Sequence, residues 1–242
     1  MILLLGGTAE ARVLGGKLAE AGRPAVVSLA GAVLRPAPQP LPTRIGGFGG
    51  DAGFAAYLMS ERISAVLDAT HPFAARITAR AARICGDLGL PYARLSRPGW
   101  QEGPGDHWHR IDRAEEAARI IPETAHVFLA SGRLGLAAFA GLAGRQLTVR
   151  VVEDRGDPFP HPNGRWLVAR PPFTQAAEVA LFRDLGIDWI VAKESGGSGR
   201  AKLDAARQLG LGVVLLNRPP EPPGVPLFRD VESALHWLEA LP

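Results

Sequence analysis

A chain of 242 residues, 47% hydrophobic and 21% charged, has the composition of an ordinary folded protein with room for one large core or two small ones. Its one cysteine, Cys85, excludes an internal disulfide framework and cysteine-rich metal sites. The formal charge of +3 rests on basic residues scattered singly, which argues against a nucleic-acid surface and favours a modestly basic site for an anionic small molecule.

The opening apolar run Ile2–Gly7 is too short for a secretory or membrane segment, and no later stretch would span a bilayer, so a cytoplasmic protein with no membrane partner is expected. The run reads as a buried parallel strand. Residues 8–22 read as a helix, with Val13, Leu14, Lys17, Leu18 and Ala21 at helical spacing and Gly22 as the stop. Residues 25–30 form the second strand, and a loop rich in proline and glycine runs from Arg35 to Gly50. A helix follows with Asp51 as its expected N-cap. The third strand spans residues 65–70, its helix starts with Pro72 in the first turn, and residues 91–97 are the fourth strand.

Residues 97–108 are dense in turn formers and read as a linker. A second series of elements begins after it. Helices are expected over 114–121, 174–187, 199–210 and 230–242, with a loop and helix over 132–144. Strands are expected over 126–131, 146–154, 189–194 and 213–219. The alternation predicts two doubly wound, Rossmann-like α/β domains, residues 1–97 and 98–242, with parallel sheets facing a central cleft. Ligands of such sheets bind beyond the carboxyl ends of the strands, where the chain places three glycine clusters.

The first cluster, "LLLGGTAEA", puts Gly6 and Gly7 in a strand–helix turn with Thr8 offering a hydroxyl. Glycines let backbone amides approach a phosphate, and a helix N-terminus favours its charge. The turn fits a phosphate cradle and a tight connection equally well. The second strand ends in "VVSLAG", with Ser28 where an NAD-binding sheet would carry an acid, and Arg35 follows in the loop. That combination favours NADP over NAD. In "RIGGFGGD", Gly46, Gly47, Gly49 and Gly50 either line a cofactor's path or shape a surface turn. His71, at the end of the third strand in "DATHPFA", is either a proton donor, a ligand contact or a helix-start histidine.

Other chemistries find little support. "HWH" aligns His107 and His109 on one strand face without an evident third zinc ligand. "SGGSG" lacks the GxSxG elbow, and "GGSGRAK" lacks the ending of a P-loop. A short-chain reductase would need Tyr-x-x-x-Lys, but Tyr57 and Tyr92 are followed by Glu61 and Ser96.

In order along the chain, "LLLGGTAEAR", "SLAG", "RIGGFGG", "DATHPFAARI", "LPYARLSRPGW", "SGR" and "VAKESGGSGRAKLDAARQLG" resemble the precorrin-6A reductase family of cobalamin biosynthesis, from the first residue to about Pro219. The resemblance implies NADPH-dependent reduction of a ring double bond of the precorrin-6A macrocycle to precorrin-6B, by a monomer or small homo-oligomer. The cobalt-bearing substrate and a non-catalytic NADP-binding regulator are the alternatives. It implies that Gly6, Gly7, Thr8, Ser28, Arg35, Gly46, Gly47, Phe48 and Gly49 hold NADPH, with Thr70, His71 and Pro72 against its ribose and nicotinamide. It assigns the polycarboxylate substrate to Ser131, Gly132, Arg133, Lys193, Ser195, Gly196, Gly197 and Lys202. It names no proton donor and no metal. Glu194 departs from the family, which more often has asparagine there, and alters the local charge.

Overall fold

The computed structural model describes residues 1–31 and 33–241; Ala32 and Pro242, the last position of the expected closing helix, lie outside the described residues. The chain divides into two compact units, Met1–Pro98 with Pro219–Pro242, and Gly99–Arg218. The first contains β1 (Ile2–Leu5), α1 (Ala9–Glu20), β2 (Ala25–Leu29), β3 (Thr43–Ile45), α2 (Gly50–Ser60), β4 (Ala65–Asp68), α3 (Ala75–Asp87) and β5 (Tyr92–Leu95). The second contains β6 (Trp108–Ile111), α4 (Ala117–Ile120), β7 (His126–Ala130), a 3-10 helix (Arg133–Leu142), β8 (Gln146–Val151) and β9 (Gly164–Val168). It continues with α5 (Gln175–Leu185), β10 (Trp189–Lys193), α6 (Ala201–Leu209) and β11 (Gly212–Leu216). The chain then returns to the first unit with β12 (Leu227–Phe228) and α7 (Val231–Glu239).

The first sheet runs β12-β5-β4-β1-β2-β3 and the second β6-β11-β10-β7-β8-β9, with every pairing parallel. Both share the order 3-2-1-4-5 of dinucleotide-binding sheets plus one flanking strand. Strand alternation splits each core in two. In the first unit Leu4 and Leu67 pack with Leu14 and Leu18 of α1 and with Ala234 and Leu238 of α7. Leu3, Leu5 and Val66 pack on the other face with Phe54 of α2 and Ile84 of α3. In the second, Val127, Leu129 and Val191 meet Leu136 and Phe139 of the 3-10 helix, while Phe128, Ile190 and Ala192 meet Phe182 of α5 and Leu203 of α6. A strand covered on both faces must be apolar throughout, which is why these runs are continuous.

The expected second domain, 98–242, is corrected at its end. Leu227 and Phe228 pair with Arg94 and Leu95 of β5, so residues 219–242 complete the first sheet. The strand that follows β5 in sequence, β6, pairs instead with β11 of the second sheet. Each sheet thus takes its sixth strand from beyond its own five. Asp51 does not cap α2: Gly49 does, at φ 77°, and the Asp51 carboxylate pairs with Arg80 and Arg83 of α3. Pro72 lies in a turn before α3 rather than inside it, closed by the Ala74 N–H donating to the His71 carbonyl at 2.8 Å.

Removing residues 219–242 should therefore cost amide exchange protection in β4 and β5 while β7 and β10 keep theirs, a difference that hydrogen-exchange mass spectrometry resolves by segment. Burial pushes the Cys85 thiol up to about 12. At pH 8 the native protein should resist a thiol reagent and the urea-unfolded chain should react with one equivalent.

Candidate functional site

In the first unit the strand order reverses between β1 and β4, and the loops leaving these two strands carry "GGT" and "ATHP". Gly7 sits at φ 118°, where an L side chain is strained, and a Cβ there would point into open space. A Cβ on Gly6 would stand 2.7 Å from Val27 Cγ2, so the chain must be bare there to lie against β2. Thr8 caps α1, its Oγ1 accepting from the Ala11 N–H at 3.1 Å and donating to the Ala69 carbonyl at 2.7 Å. Its hydroxyl hydrogen is spent on tying the two loops together. What this turn offers a ligand is therefore backbone, not the side-chain hydroxyl that the sequence reading assigned to it.

At the end of β2, Ser28 is buried and its Oγ accepts from Arg44 Nη1 at 2.9 Å. Arg44 also donates to the carbonyls of Gly46 and Gly47 and lies 3.9 Å over the Phe48 ring. Arg35 lies exposed on the preceding loop, and the guanidinium that meets Ser28 is Arg44's, on the short strand β3. Sequence reading missed Arg44 because a three-residue strand carries no periodicity; its place directly before the glycine cluster was the available signal. Gly46, Gly49 and Gly50 all have φ between 77° and 112°, and among the described residues nothing lies within 4 Å of a Cβ placed on them or on Gly47. Gly53 permits this loop: a Cβ there would meet the Phe48 carbonyl oxygen at 1.8 Å.

The "DATHP" loop is fixed from below. Asp68 is fully buried and accepts from the Thr70 N–H at 2.9 Å and hydroxyl at 2.7 Å, the Thr78 hydroxyl at 2.7 Å, Tyr92 at 2.9 Å and Arg94 Nη1 at 2.7 Å. Arg94, equally buried, also pairs with Glu221 at 2.5 Å, supplied by the returning C-terminal segment. Thr70 is thereby turned inward, and His71 Nδ1 accepts from the Phe73 N–H at 3.2 Å. That bond leaves the ring proton on Nε2. Asp68 was not a candidate from sequence, because its partners come from two other elements.

In the second unit the reversal lies between β7 and β10, and their loops carry "SGR" and "KESGG". Ser131, Gly132, Arg133, Lys193, Ser195, Gly196 and Gly197 thus leave neighbouring parallel strands at one sheet edge. Gly132, Gly196 and Gly197 have φ of 70°, 62° and 65°. A Cβ on Gly135 would lie 2.6 Å from Ser131 and 3.5 Å from Lys193 Nζ, so a bare backbone keeps room over that pair. Burial lowers the Lys193 pKa below the ordinary lysine value.

Arg133 and Lys202 are tied to neighbouring groups. Arg133 pairs with Asp157 and lies 4.2 Å over Trp166, and Lys202 Nζ donates to the Gly199 carbonyl at 2.6 Å while lying 4.6 Å from the Trp100 ring centroid. Glu194 is buried, pairs with Arg218 at 2.5 Å and accepts from the Trp100 N–H at 3.0 Å. The charge it brings in place of the expected asparagine is balanced at source. His109 packs on Trp189, ring centroids 5.4 Å apart, and among the described residues no three His, Cys, Asp or Glu side chains gather around it.

Replacing Arg94 by methionine strands the Asp68 carboxylate in the core and should cost about 3–5 kcal/mol in urea unfolding. Asp68→Asn combined with Arg94→Met should cost less than the sum of the two single changes.

The family model for precorrin-6x reductase CbiJ/CobK matches residues 1–239. A precorrin-6A reductase of Mycobacterium tuberculosis is 46% identical over 100% of this chain and 98% of its own length. A cobalt-precorrin-6A reductase of Priestia megaterium is 28% identical over 98% of each. The solved structure of CobK precorrin-6A reductase superposes with a TM-score of 0.93 at 42% identity, covering 98% of this chain and 95% of its own. With sequence and fold matched almost end to end, the chain belongs to the precorrin-6x reductase CbiJ/CobK family, enzymes of cobalamin biosynthesis that reduce a carbon–carbon double bond.

Proposed function

We propose that this chain reduces a ring double bond of metal-free precorrin-6A to give precorrin-6B, with NADPH as reductant, in the cytoplasm. The observation that carries the cofactor reading is the β2 end: a buried serine bonded to an arginine, in the place where an acid would hold the 2′-hydroxyl of NAD. Arg44 fits a 2′-phosphate because its guanidinium is held by Ser28 and two carbonyls and backed by an aromatic ring, and among the described residues no carboxylate pairs with it. The bare backbone of Gly6, Gly7 and Thr8 at the N-terminus of α1 fits the pyrophosphate. NADPH, when bound, supplies the hydride, and the protein supplies position and charge.

His71 and Pro72 stand on a loop that Asp68 and Arg94 hold rigid, as a group lying against ribose and nicotinamide requires. For the substrate we assign the "SGR" and "KESGG" loops, with Lys193 half-buried at that edge. Metal-free precorrin-6A is preferred over the cobalt form because identity to the precorrin-6A reductase is 46% and to the cobalt-precorrin-6A reductase 28% over nearly the whole chain.

Anaerobic nicotinamide oxidation with each macrocycle tests the reading. Turnover with precorrin-6A and NADPH supports it; turnover confined to the cobalt form, or none, sinks the substrate assignment. Arg44→Ala should raise KM for NADPH about 10- to 100-fold while leaving that for NADH within a few-fold, since the change removes charge-assisted bonds that NADH never makes.

A further inference from the structure

Asp68 closes β4 with a carboxylate whose two oxygens serve different neighbours. Oδ2 accepts from the Thr78 hydroxyl at 2.7 Å, the Tyr92 hydroxyl at 2.9 Å and Arg94 Nη1 at 2.7 Å, all groups of α3 and β5. Oδ1 accepts from Thr70, through its N–H at 2.9 Å and its hydroxyl at 2.7 Å. A carboxylate has about four lone-pair sites to fill. Arg94, Tyr92, Thr78 and the Thr70 N–H fill them, so the Thr70 hydroxyl is a fifth donor that the buried charge does not require. The peptide group between Ala69 and Thr70 is also held from its other side: Thr8 Oγ1 donates to the Ala69 carbonyl at 2.7 Å, while the Thr70 N–H donates to Asp68. A planar peptide bonded at both its oxygen and its nitrogen cannot turn without losing a bond. His71 comes next, and its carbonyl closes the turn by accepting from the Ala74 N–H at 2.8 Å.

We propose that Thr70 is a positioning residue of the reduction: bonded to Asp68, its hydroxyl fixes the path of the His71–Pro72 turn, and so the nicotinamide against that turn, without touching the cofactor. The role rests on the NADPH reading above, and every group in it belongs to Met1–Pro98. The Thr70 hydroxyl hydrogen is spent on Asp68, and its oxygen lies 3.5 Å from Thr78 Oγ1, so the side chain is engaged on the side away from a ligand. In that reading the phosphates are anchored elsewhere, by Arg44 and by the bare backbone before α1. A loosened turn therefore leaves affinity for NADPH nearly intact and lets the nicotinamide drift. Hydride transfer is sensitive to such drift, because a misplacement of ~1 Å costs up to about 100-fold in rate.

Thr70→Val keeps the branched shape and deletes the hydroxyl, whereas Thr70→Ser keeps the hydroxyl. With precorrin-6A under anaerobic conditions, Thr70→Val should lower kcat about 10- to 100-fold with KM for NADPH within a few-fold, and Thr70→Ser should recover kcat to within a few-fold of the unaltered protein. Hydrogen exchange of the free protein needs no substrate: residues 70–74 should exchange faster in Thr70→Val than in Thr70→Ser, with β5 unchanged. Equal exchange of residues 70–74 in the two variants overturns the proposal. A raised KM for NADPH with kcat unchanged makes Thr70 a cofactor contact, and a lowered urea midpoint with kcat unchanged makes it a purely structural residue; either result overturns the proposal. An unaltered protein that leaves NADPH fluorescence unchanged on mixing overturns the NADPH reading, and the proposal with it, whatever the exchange of residues 70–74.

Discussion

A carboxylate in the middle of an apolar sheet is tolerated only if a cation and several donors replace the water it has lost. Asp68 meets that condition with Arg94, Tyr92, Thr78 and Thr70, and the arrangement of the first unit follows from it. Thr70 is drawn inward, which sets the path of the His71–Pro72 turn. Arg94 draws in Glu221, which brings the returning segment to the β5 edge, where β12 completes the sheet. Thr8 then joins the glycine turn to the carbonyl next to Asp68. One buried charge thus connects the loops after β1 and β4 to the last segment of the chain.

The exchange of outer strands has a comparable effect on the backbone. β6 follows the first five strands but pairs in the second sheet, and β12 follows the second five but pairs in the first. Neither sheet is complete without chain from beyond the other. Parallel strands need long crossovers, and here the crossovers between units also supply Trp100 and Arg218, the residues that hold Glu194. Loops at the reversal of strand order are therefore braced by segments remote in sequence, as sites that depend on precise position require.

The basic residues at the second sheet's reversal differ in what they do. Arg133 and Lys202 are held against Trp166 and Trp100 and shape the loops, whereas Lys193 is pressed into the sheet edge next to Ser131. Counting positive charges in the sequence treats the three alike. Their surroundings separate two bracing residues from one whose acidity burial has altered.

Much of this was legible in the sequence. Continuous apolar runs alternating with helical periods gave parallel, doubly wound sheets, since a strand covered on both faces has to be apolar throughout. Glycines at the ends of β1, β3 and β10 marked loops that turn sharply at positive φ, a constraint local to the residue and so readable from it. Tertiary structure alone decided which groups meet: Arg44 rather than Arg35 at Ser28, Arg94 at Asp68, Glu221 at Arg94, Arg218 at Glu194. It also decided where β3, β9 and β12 pair, and that the chain's end belongs to its beginning. Short strands carry too little periodicity to announce themselves, and partners chosen by burial across tens or hundreds of residues leave no local pattern to read.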